Sequence, residues 1–159
     1  MKLLSILDED FQNYKKASMF ICTPRCDGKC FMERGFDSSI CQNFDRLNCE
    51  PIIEVDNKVL IKRYLDNPIT SAIVIGGMEP LLDPDDIFHF ILTARIYTLD
   101  PIIIYTGYYP DEVVDFTDKL YDLHNIIVKF GRYVPGAESV YDELLGVTLV
   151  SDNQFSKQY

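Results

Sequence analysis

The chain has 159 residues, of which 47% are hydrophobic and 25% are charged, and this composition is typical of a globular protein with a substantial core. Its formal net charge of −10 argues against binding to nucleic acid or to a membrane surface, because a phosphate-rich partner requires a basic patch. The length predicts one domain over residues 1–159.

Short apolar runs alternate with amphipathic stretches, and turn residues mark where each element begins and ends. The predicted elements in chain order are a strand at Met19–Thr23, a helix at Asp56–Asp66, a strand at Ala72–Ile75, a helix opened by Asp83 and Pro84, a strand at Ile102–Tyr105, a helix opened by Pro110, a strand at Ile126–Val128 and a short strand at Gly146–Val150. Strands that are apolar on both faces and alternate with helices predict an α/β fold with a mostly parallel sheet. With about four or five βα units, the array is too short for a full barrel and predicts a partial, open one.

Three segments with unusual composition follow the ends of predicted strands. A loop rich in cysteine follows the first strand, Gly76-Gly77 ends the second, and Thr106-Gly107 follows the third. Ligands of parallel α/β folds bind at the carboxyl ends of the strands. The sequence therefore predicts that these three segments meet in one site.

The five cysteines all lie between Cys22 and Cys49, so the residues that follow contain no thiol to pair with them. The segment after Met1 does not form the apolar core of a signal peptide, since Asp8-Glu9-Asp10 interrupts it, and no apolar stretch has the length of a membrane span. We expect a cytoplasmic protein with reduced thiols. Gathered thiols in that setting favour a metal site over a disulfide framework.

The cysteine pattern resembles the signature of the radical S-adenosylmethionine (radical SAM) enzymes, which is Cys-Asn-x-Arg-Cys followed by a third cysteine. The first half corresponds to Cys26-Asp27-Gly28-Lys29-Cys30. The usual third position holds Glu33 instead, but Cys41-Gln42-Asn43 resembles the Cys-aromatic-Asn ending found in activating proteins of anaerobic ribonucleotide reductase. In this interpretation, residues Phe31–Ile40 are an insertion between the second and third ligands.

The resemblance implies that Cys26, Cys30 and Cys41 hold an iron–sulfur cluster. A more compact alternative uses Cys22, Cys26 and Cys30, with two equal gaps. We prefer Cys41 to Cys22 as the third ligand for two reasons. Cys22 falls within the predicted first strand, and the basic residue before Cys30 matches the arginine of the motif when Cys26 and Cys30 are its first two cysteines. Cys22 and Cys49 then become small apolar side chains, a common role of free cysteine.

A structural zinc site is the main alternative to an iron–sulfur cluster, since four of the five cysteines could close a tetrahedral shell. Zinc sites usually contain Cys-x2-Cys pairs, however, and the sequence has none. The two histidines, His89 and His124, also fall away from the cysteines in the sequence. A protein with no metal and five incidental thiols is the other alternative.

The second strand ends in Gly76-Gly77-Met78-Glu79-Pro80, which resembles the Gly-Gly-Glu-Pro motif of radical SAM enzymes with Met78 inserted. In that family the segment holds the amino group of the methionine moiety through backbone carbonyls and the acidic side chain. Glycine suits this role because its backbone can approach a ligand closely. The cofactor-binding residues implied here are Gly76, Gly77, Glu79 and Pro80.

Further similarity to the reductase-activating proteins extends along the chain. Tyr105-Thr106-Gly107-Tyr108 is similar to their Tyr-Thr-Gly-Tyr segment, which makes Thr106 a candidate to bond the ribose or methionine end of the cofactor. Lys129-Phe130-Gly131-Arg132-Tyr133 is similar to their Asp-Gly-x-Phe segment, with lysine where aspartate is expected, and Asp152-Asn153-Gln154 is similar to their closing Ser-Asn-Gln. The resemblance thus runs in order from Ser18 to Gln154.

The resemblance implies a four-iron, four-sulfur (4Fe-4S) cluster and S-adenosyl-L-methionine as cofactors. The cluster would cleave S-adenosylmethionine reductively to a 5′-deoxyadenosyl radical, which in the activating proteins removes a hydrogen atom from a backbone glycine of a partner. The implied partners are a glycyl radical enzyme of the anaerobic ribonucleotide reductase type and an electron donor such as flavodoxin or ferredoxin. Two alternatives are a radical SAM enzyme that acts on another peptide or small molecule, and a zinc or iron–sulfur module that binds a partner without catalysis.

Overall fold

The computed structural model describes residues 1–47 and 49–159. The strands are β1 (Lys2–Leu3), β2 (Ser5–Asp10), β3 (Ser18–Thr23), β4 (Ile53–Glu54), β5 (Ile73–Gly77), β6 (Ile102–Tyr105), β7 (Ile126–Phe130), β8 (Val140–Asp142), β9 (Val147–Leu149) and β10 (Phe155–Gln158). The α-helices are α1 (Lys29–Met32), α2 (Asn57–Leu65), α3 (Pro84–Arg95) and α4 (Val114–Asp118). Single 3₁₀ turns lie at Ser38–Ile40, Phe44–Arg46, Pro80–Leu82 and Pro110–Glu112.

A six-stranded sheet in the order β10-β7-β6-β5-β3-β2 forms the centre of the fold. Its four inner strands β3, β5, β6 and β7 are parallel, and β2 and β10 pair antiparallel at the two edges. The prediction of an α/β fold with a mostly parallel sheet is confirmed. In the described part of the chain, β2 and β10 do not pair with each other, so the sheet does not close into a barrel.

Both edge strands were missed by the sequence analysis. The edge strand β2 alternates between exposed and more buried residues and ends in Asp8-Glu9-Asp10, and acidic residues are depleted in strands. The short strand β10 is mostly exposed. The predicted strand at Gly146–Val150 does form as β9, but it pairs with β8 in a separate hairpin.

Helices cover only one face of the sheet. Side chains such as Ile73 and Ile75 point to that face and pack with residues of α2 and α3, including Leu60 and Phe90. The alternate residues of the same strands, such as Val74, point to the opposite face. A second apolar cluster covers that face, and its members outside the central strands include Tyr14, Leu145 and Leu149.

The two longer helices begin at the predicted residues, although the Asp83 side chain makes no capping hydrogen bond to α3. The side chain of Asp56 accepts a hydrogen bond from the backbone N–H of Lys58 and so caps α2. Pro84 opens α3, whose buried face consists of Ile87, Phe90, Ile91 and Ala94. The helix predicted after Pro110 is broken into a 3₁₀ turn and the short α4. In the parts of the chain described here, no helix is both long and apolar enough to cross a membrane.

Candidate functional site

A cavity of about 660 Å³ lies at the carboxyl ends of the parallel strands, on the face without helices. This volume falls in the range of about 300–1,000 Å³ that is usual for small-molecule sites. Six of the residues predicted to form a site line it, namely Cys26, Cys30, Cys41, Gly77, Glu79 and Thr106. The three segments that follow β3, β5 and β6 therefore do meet, as predicted from the strand ends.

Gly28 allows the loop after β3 to turn tightly between the first two thiols. It adopts a left-handed backbone conformation with φ of 71°, and a Cβ at this position would overlap the ring of Phe31. The turn lets the Gly28 N–H donate to Sγ of Cys26 over 3.3 Å, and it starts the short helix α1 that carries Cys30. A glycine between the two cysteines is thus a local requirement of this loop.

Cys41 reaches the same cavity because the inserted segment folds back toward β5. Its Sγ accepts a hydrogen bond from the N–H of Asn43 over 3.4 Å. The Asn43 side-chain amide in turn donates to the carbonyl oxygen of Gly77, at the end of β5. The loop that bears the third thiol is therefore fastened to the turn that follows the second parallel strand.

Burial keeps the thiols of Cys26 and Cys30 protonated in the absence of a metal. Burial, with a smaller contribution from the nearby Glu79 carboxylate, raises the pKa of Cys26 to about 11. Burial also raises the pKa of Cys30, and the neighbouring Cys41 adds to this shift. Since thiolates are the metal-binding form, loading a metal or cluster here would release protons.

Cys22 lies in a different environment from the other three. It is 1% exposed within β3, and its Sγ packs directly against Gly77, where an added Cβ would overlap it. Gly77 itself has φ of 88°, which only glycine adopts readily. The structure thus places Cys41 in the cavity with Cys26 and Cys30, and Cys22 in the packed sheet. Cys49 is exposed.

In residues 1–47 and 49–159, no three His, Cys, Asp or Glu side chains lie close enough together to hold a single metal ion. A zinc ion needs donors at about 2.0–2.3 Å from one point, so the described thiols do not form a ready zinc shell. An iron–sulfur cluster takes each thiolate on a different iron atom, so its ligands need not converge on one point.

The Glu79 carboxylate joins the ends of β5 and β6. It is 6% exposed and accepts hydrogen bonds from the Thr106 hydroxyl over 2.7 Å and from the backbone N–H groups of Leu81 over 2.9 Å and Gly107 over 2.8 Å. Burial raises its pKa, and these three donors oppose the shift. Pro80, buried directly after it, opens the 3₁₀ turn that the carboxylate caps.

Thr106 is also engaged within the protein. Besides donating to Glu79, its hydroxyl oxygen accepts a hydrogen bond from the N–H of Tyr108 over 3.0 Å. Gly76 lies within β5 beside Cys22, and its carbonyl accepts a hydrogen bond from the Thr23 hydroxyl over 2.9 Å. Of the predicted cofactor residues, Gly77, Glu79 and Thr106 line the cavity, and the side chains of Glu79 and Thr106 are already hydrogen-bonded within the protein, whereas Gly76 and Pro80 lie outside the cavity lining.

Lys129 belongs to the site, although the sequence did not predict this. It lies in β7 on the cavity face, is 7% exposed and lines the cavity. Its ammonium donates to the carbonyl oxygen of Gly131 over 3.1 Å, and burial lowers its pKa to about 8. The signal was present, because Lys129 is the one charged residue in the buried strand Ile126–Phe130, where a lysine is rare unless it has a partner.

A group of charged side chains, also missed, holds the cysteine loop in place. The guanidinium of Arg132 contacts both carboxylate oxygens of Glu112 over 2.7 Å and Glu33 over 2.8 Å, while Lys29 reaches Glu112 over 3.0 Å. The hydrogen bonds from Arg132 lower the pKa of Glu112 to about 2. This cluster, here called the Arg132 clamp, links α1 and the residue after it to the segments that follow β6 and β7.

Comparison of the chain with protein-family models, with curated proteins and with solved structures finds no match. The fold and the cavity define the class: an α/β protein with three thiols at the carboxyl ends of its parallel strands. A more specific function can be inferred only from the residues that line this cavity.

Proposed function

We propose that the chain is a radical SAM protein in which Cys26, Cys30 and Cys41 hold a 4Fe-4S cluster and the adjoining cavity binds S-adenosylmethionine. The observation that supports this most directly is the convergence of the three thiols with the segment containing Gly77 and Glu79 around one cavity. In this proposal the open sheet with a cavity on its helix-free face is the partial barrel of that family.

The residues present suit such a cluster. Three thiols leave one iron without a protein ligand, which is the position a substrate or cofactor would occupy. Backbone N–H groups of Gly28 and Asn43 already donate to Sγ of Cys26 and Cys41, and hydrogen bonds to sulfur are one means by which proteins tune such clusters. Cys26, Cys30 and Cys41 are each partly buried, which limits their contact with water.

The turn after β5 is the proposed contact with the methionine end of S-adenosylmethionine. Gly77 lines the cavity without a Cβ, so its backbone is open to a close ligand. Its carbonyl oxygen accepts one hydrogen bond from Asn43 and retains a second lone pair for an ammonium group. Glu79 and Thr106 would act mainly by holding this turn against β6, since their side chains bond each other.

When bound and reduced, the cluster would supply the electron that breaks the carbon–sulfur bond of S-adenosylmethionine, giving methionine and a 5′-deoxyadenosyl radical. The chain itself would position the methionine end at the turn of Gly77 and restrict access of water to the thiols. Its closed network of Glu79, Thr106 and Gly107 would keep the turn rigid.

We further propose that the 5′-deoxyadenosyl radical would remove a hydrogen atom from a backbone glycine of an anaerobic ribonucleotide reductase-type partner, giving 5′-deoxyadenosine and a glycyl radical on the partner. The support is the ordered resemblance from Ser18 to Gln154. Flavodoxin or ferredoxin would supply electrons, and a cytoplasmic location would keep the thiols reduced. Action on another substrate is the second candidate, and the buried Lys129 in the wall of the cavity favours it.

Anaerobic reconstitution with iron and sulfide tests the proposal. We expect about four irons per chain and release of 5′-deoxyadenosine from S-adenosylmethionine under dithionite. Cys41→Ala should abolish cluster binding, whereas the matched variant Cys22→Ala should retain most of it, and the reverse pattern would establish the compact ligand set. A colourless, zinc-loaded protein that releases no 5′-deoxyadenosine would overturn the proposal, and a glycyl radical signal on adding a reductase partner would identify the substrate.

A further inference from the structure

The cavity carries a buried positive charge at the end opposite the thiols. Lys129 lies on β7, and the thiol loop follows β3, so β5 and β6 lie between them in the sheet. Three strand spacings of about 4.8 Å separate these strands, or roughly 14 Å. The cavity thus has two chemically distinct ends, one with thiols and one with an ammonium group.

The ammonium of Lys129 has little compensation inside the protein. Among the ion pairs of the described residues, none involves Lys129, and its one hydrogen bond there goes to the Gly131 carbonyl. Its ammonium also lies 5.9 Å from the centroid of the Tyr105 ring, at the outer limit of a cation–π contact. The nearest carboxylate that affects it electrostatically is Glu79, whose oxygens already accept three hydrogen bonds. Two of its three N–H donors have no hydrogen-bond partner among the described residues and can bond a ligand.

Gln154 stands next to Lys129. Its side-chain amide donates to the same Gly131 carbonyl over 3.2 Å, and both side chains line the cavity. Each amide nitrogen has two N–H groups, so Gln154 retains one donor after this bond. An ammonium and an amide N–H side by side at the wall of a cavity form a donor pair suited to the oxygens of an acid group.

A buried cation without a counter-ion costs free energy, and a ligand that supplies the counter-ion recovers it. S-adenosylmethionine would not supply a counter-ion for Lys129, because its only anionic group is the carboxylate of the methionine end. Under the proposed function the methionine end, with that carboxylate, lies beside the thiols. The anion opposite Lys129 must then come from a second molecule.

We propose that Lys129 and Gln154 form an anion-binding subsite that takes a carboxylate or phosphate group of the substrate. The identification of the ligand as the substrate rests on the proposed function, whereas the anion site itself does not. The subsite would hold the acid group at one end of the cavity while the substrate extends toward the thiols. A substrate held by this subsite would be an acidic small molecule, or a peptide with an acidic side chain near the reacting residue.

The full-length protein can be tested without cluster or S-adenosylmethionine. Sodium phosphate and sodium acetate are titrated separately at constant ionic strength, and binding is followed by the side-chain ¹⁵N resonance of Lys129 and by calorimetry. We expect saturable binding of one of the two ions, which identifies the acid group. Lys129→Met should weaken it at least tenfold, Lys129→Arg should retain part of it, and Lys58→Met, an exposed lysine on α2, should leave it unchanged.

Gln154→Leu is a second variant that keeps the buried charge and should weaken binding several-fold. If Lys129→Met does not fold, the wild-type resonance and Gln154→Leu still decide the question. Binding that neither variant alters, or a Lys129 resonance that responds to neither ion, would overturn the proposal. Because no cluster is needed, a failure of 5′-deoxyadenosine release would count against the proposed function alone, and a failure of anion binding against the subsite alone.

Discussion

The side-chain amide of Asn43 donates a hydrogen bond to the carbonyl oxygen of Gly77, and this bond joins the loop that carries Cys41 to the turn after β5. The two residues are 34 positions apart in the chain. Because Asn43 also donates its backbone N–H to Sγ of Cys41, the position of that thiol depends on the contact with Gly77.

We predict that Asn43→Ala frees the Cys41 loop without unfolding the protein. Loss of a hydrogen bond worth about 1–1.5 kcal/mol should increase local opening roughly five- to tenfold. The rate of alkylation of Cys41, measured by mass spectrometry, should rise by that factor, while Cys22 stays protected in β3. Gln42→Ala, at the exposed neighbouring position, serves as the control. Equal rates for Asn43→Ala and wild type would show that the bond does not hold the loop.

Glu79 should contribute strongly to stability through the donors that it satisfies. Glu79→Ala leaves the Thr106 hydroxyl and the N–H groups of Leu81 and Gly107 without their acceptor. We expect a loss of about 2–4 kcal/mol in the free energy of unfolding, measured with urea. Glu79→Gln, which keeps one acceptor oxygen, should lose less, and Glu138→Ala, at an exposed site, should change little. A change below about 0.5 kcal/mol for Glu79→Ala would contradict this role.

The Arg132 clamp should keep α1 closed against the body of the protein. Arg132→Met removes the contacts to Glu33 and Glu112, so amide hydrogen exchange in Lys29–Met32 should accelerate several-fold. Arg34→Met, an exposed arginine in the inserted segment, is the matched control. Unchanged exchange in Lys29–Met32 would mean that other contacts hold the helix.

The clamp also predicts an acid dependence with a definite sign. Contact with Arg132 lowers the pKa of Glu112 to about 2, below its value of about 4.3 in the unfolded chain. The stabilisation is therefore complete above about pH 4.3 and is lost as the pH falls toward 2. In Arg132→Met this part of the acid-induced loss should be absent, which thermal melts between about pH 2 and 6 would show. Parallel pH profiles for variant and wild type would contradict the assignment.

The central strands could be predicted from the sequence because each is an apolar run that ends at glycine or a polar turn, as in Ile73–Gly77. The edge strands could not, since β2 contains acidic residues and β10 is exposed, and each is defined by its neighbour across the sheet. The local sequence pattern is therefore sufficient to predict the buried strands but not the two edge strands.

For the site, the sequence predicted that the segments after β3, β5 and β6 would meet, because parallel strands bring their carboxyl ends to one edge. The sequence did not predict that the Glu79 carboxylate would accept hydrogen bonds from Thr106 and Gly107, because these bonds depend on how the ends of two strands meet. The sequence also did not place Lys129 in the cavity. That placement depends on which residues of β7 point to each face of the sheet, and Ile127 and Lys129 share the face away from the helices.

Lys129 should make the stability of the protein depend on pH in the alkaline range. Burial lowers its pKa to about 8, opposed in part by Glu79, while a lysine in the unfolded chain titrates near about 10.4. Between these values the unfolded state binds more protons, so the free energy of unfolding rises with pH, by up to roughly 3 kcal/mol. The cost of the buried charge is complete below about pH 8 and falls to zero as the pH rises from about 8 to about 10.4, where the lysine of the unfolded chain has also lost its proton.

We therefore expect Lys129→Met to be more stable than the wild type near pH 7 and to lose most of this advantage by about pH 10.5. Urea denaturation of both proteins across this range measures the difference, and the thiols and tyrosines that titrate in both largely cancel. Lys58→Met should show no such trend. A difference between Lys129→Met and wild type that stays constant with pH would mean that Lys129 is not held as a buried charge, and the anion subsite would lose its physical basis.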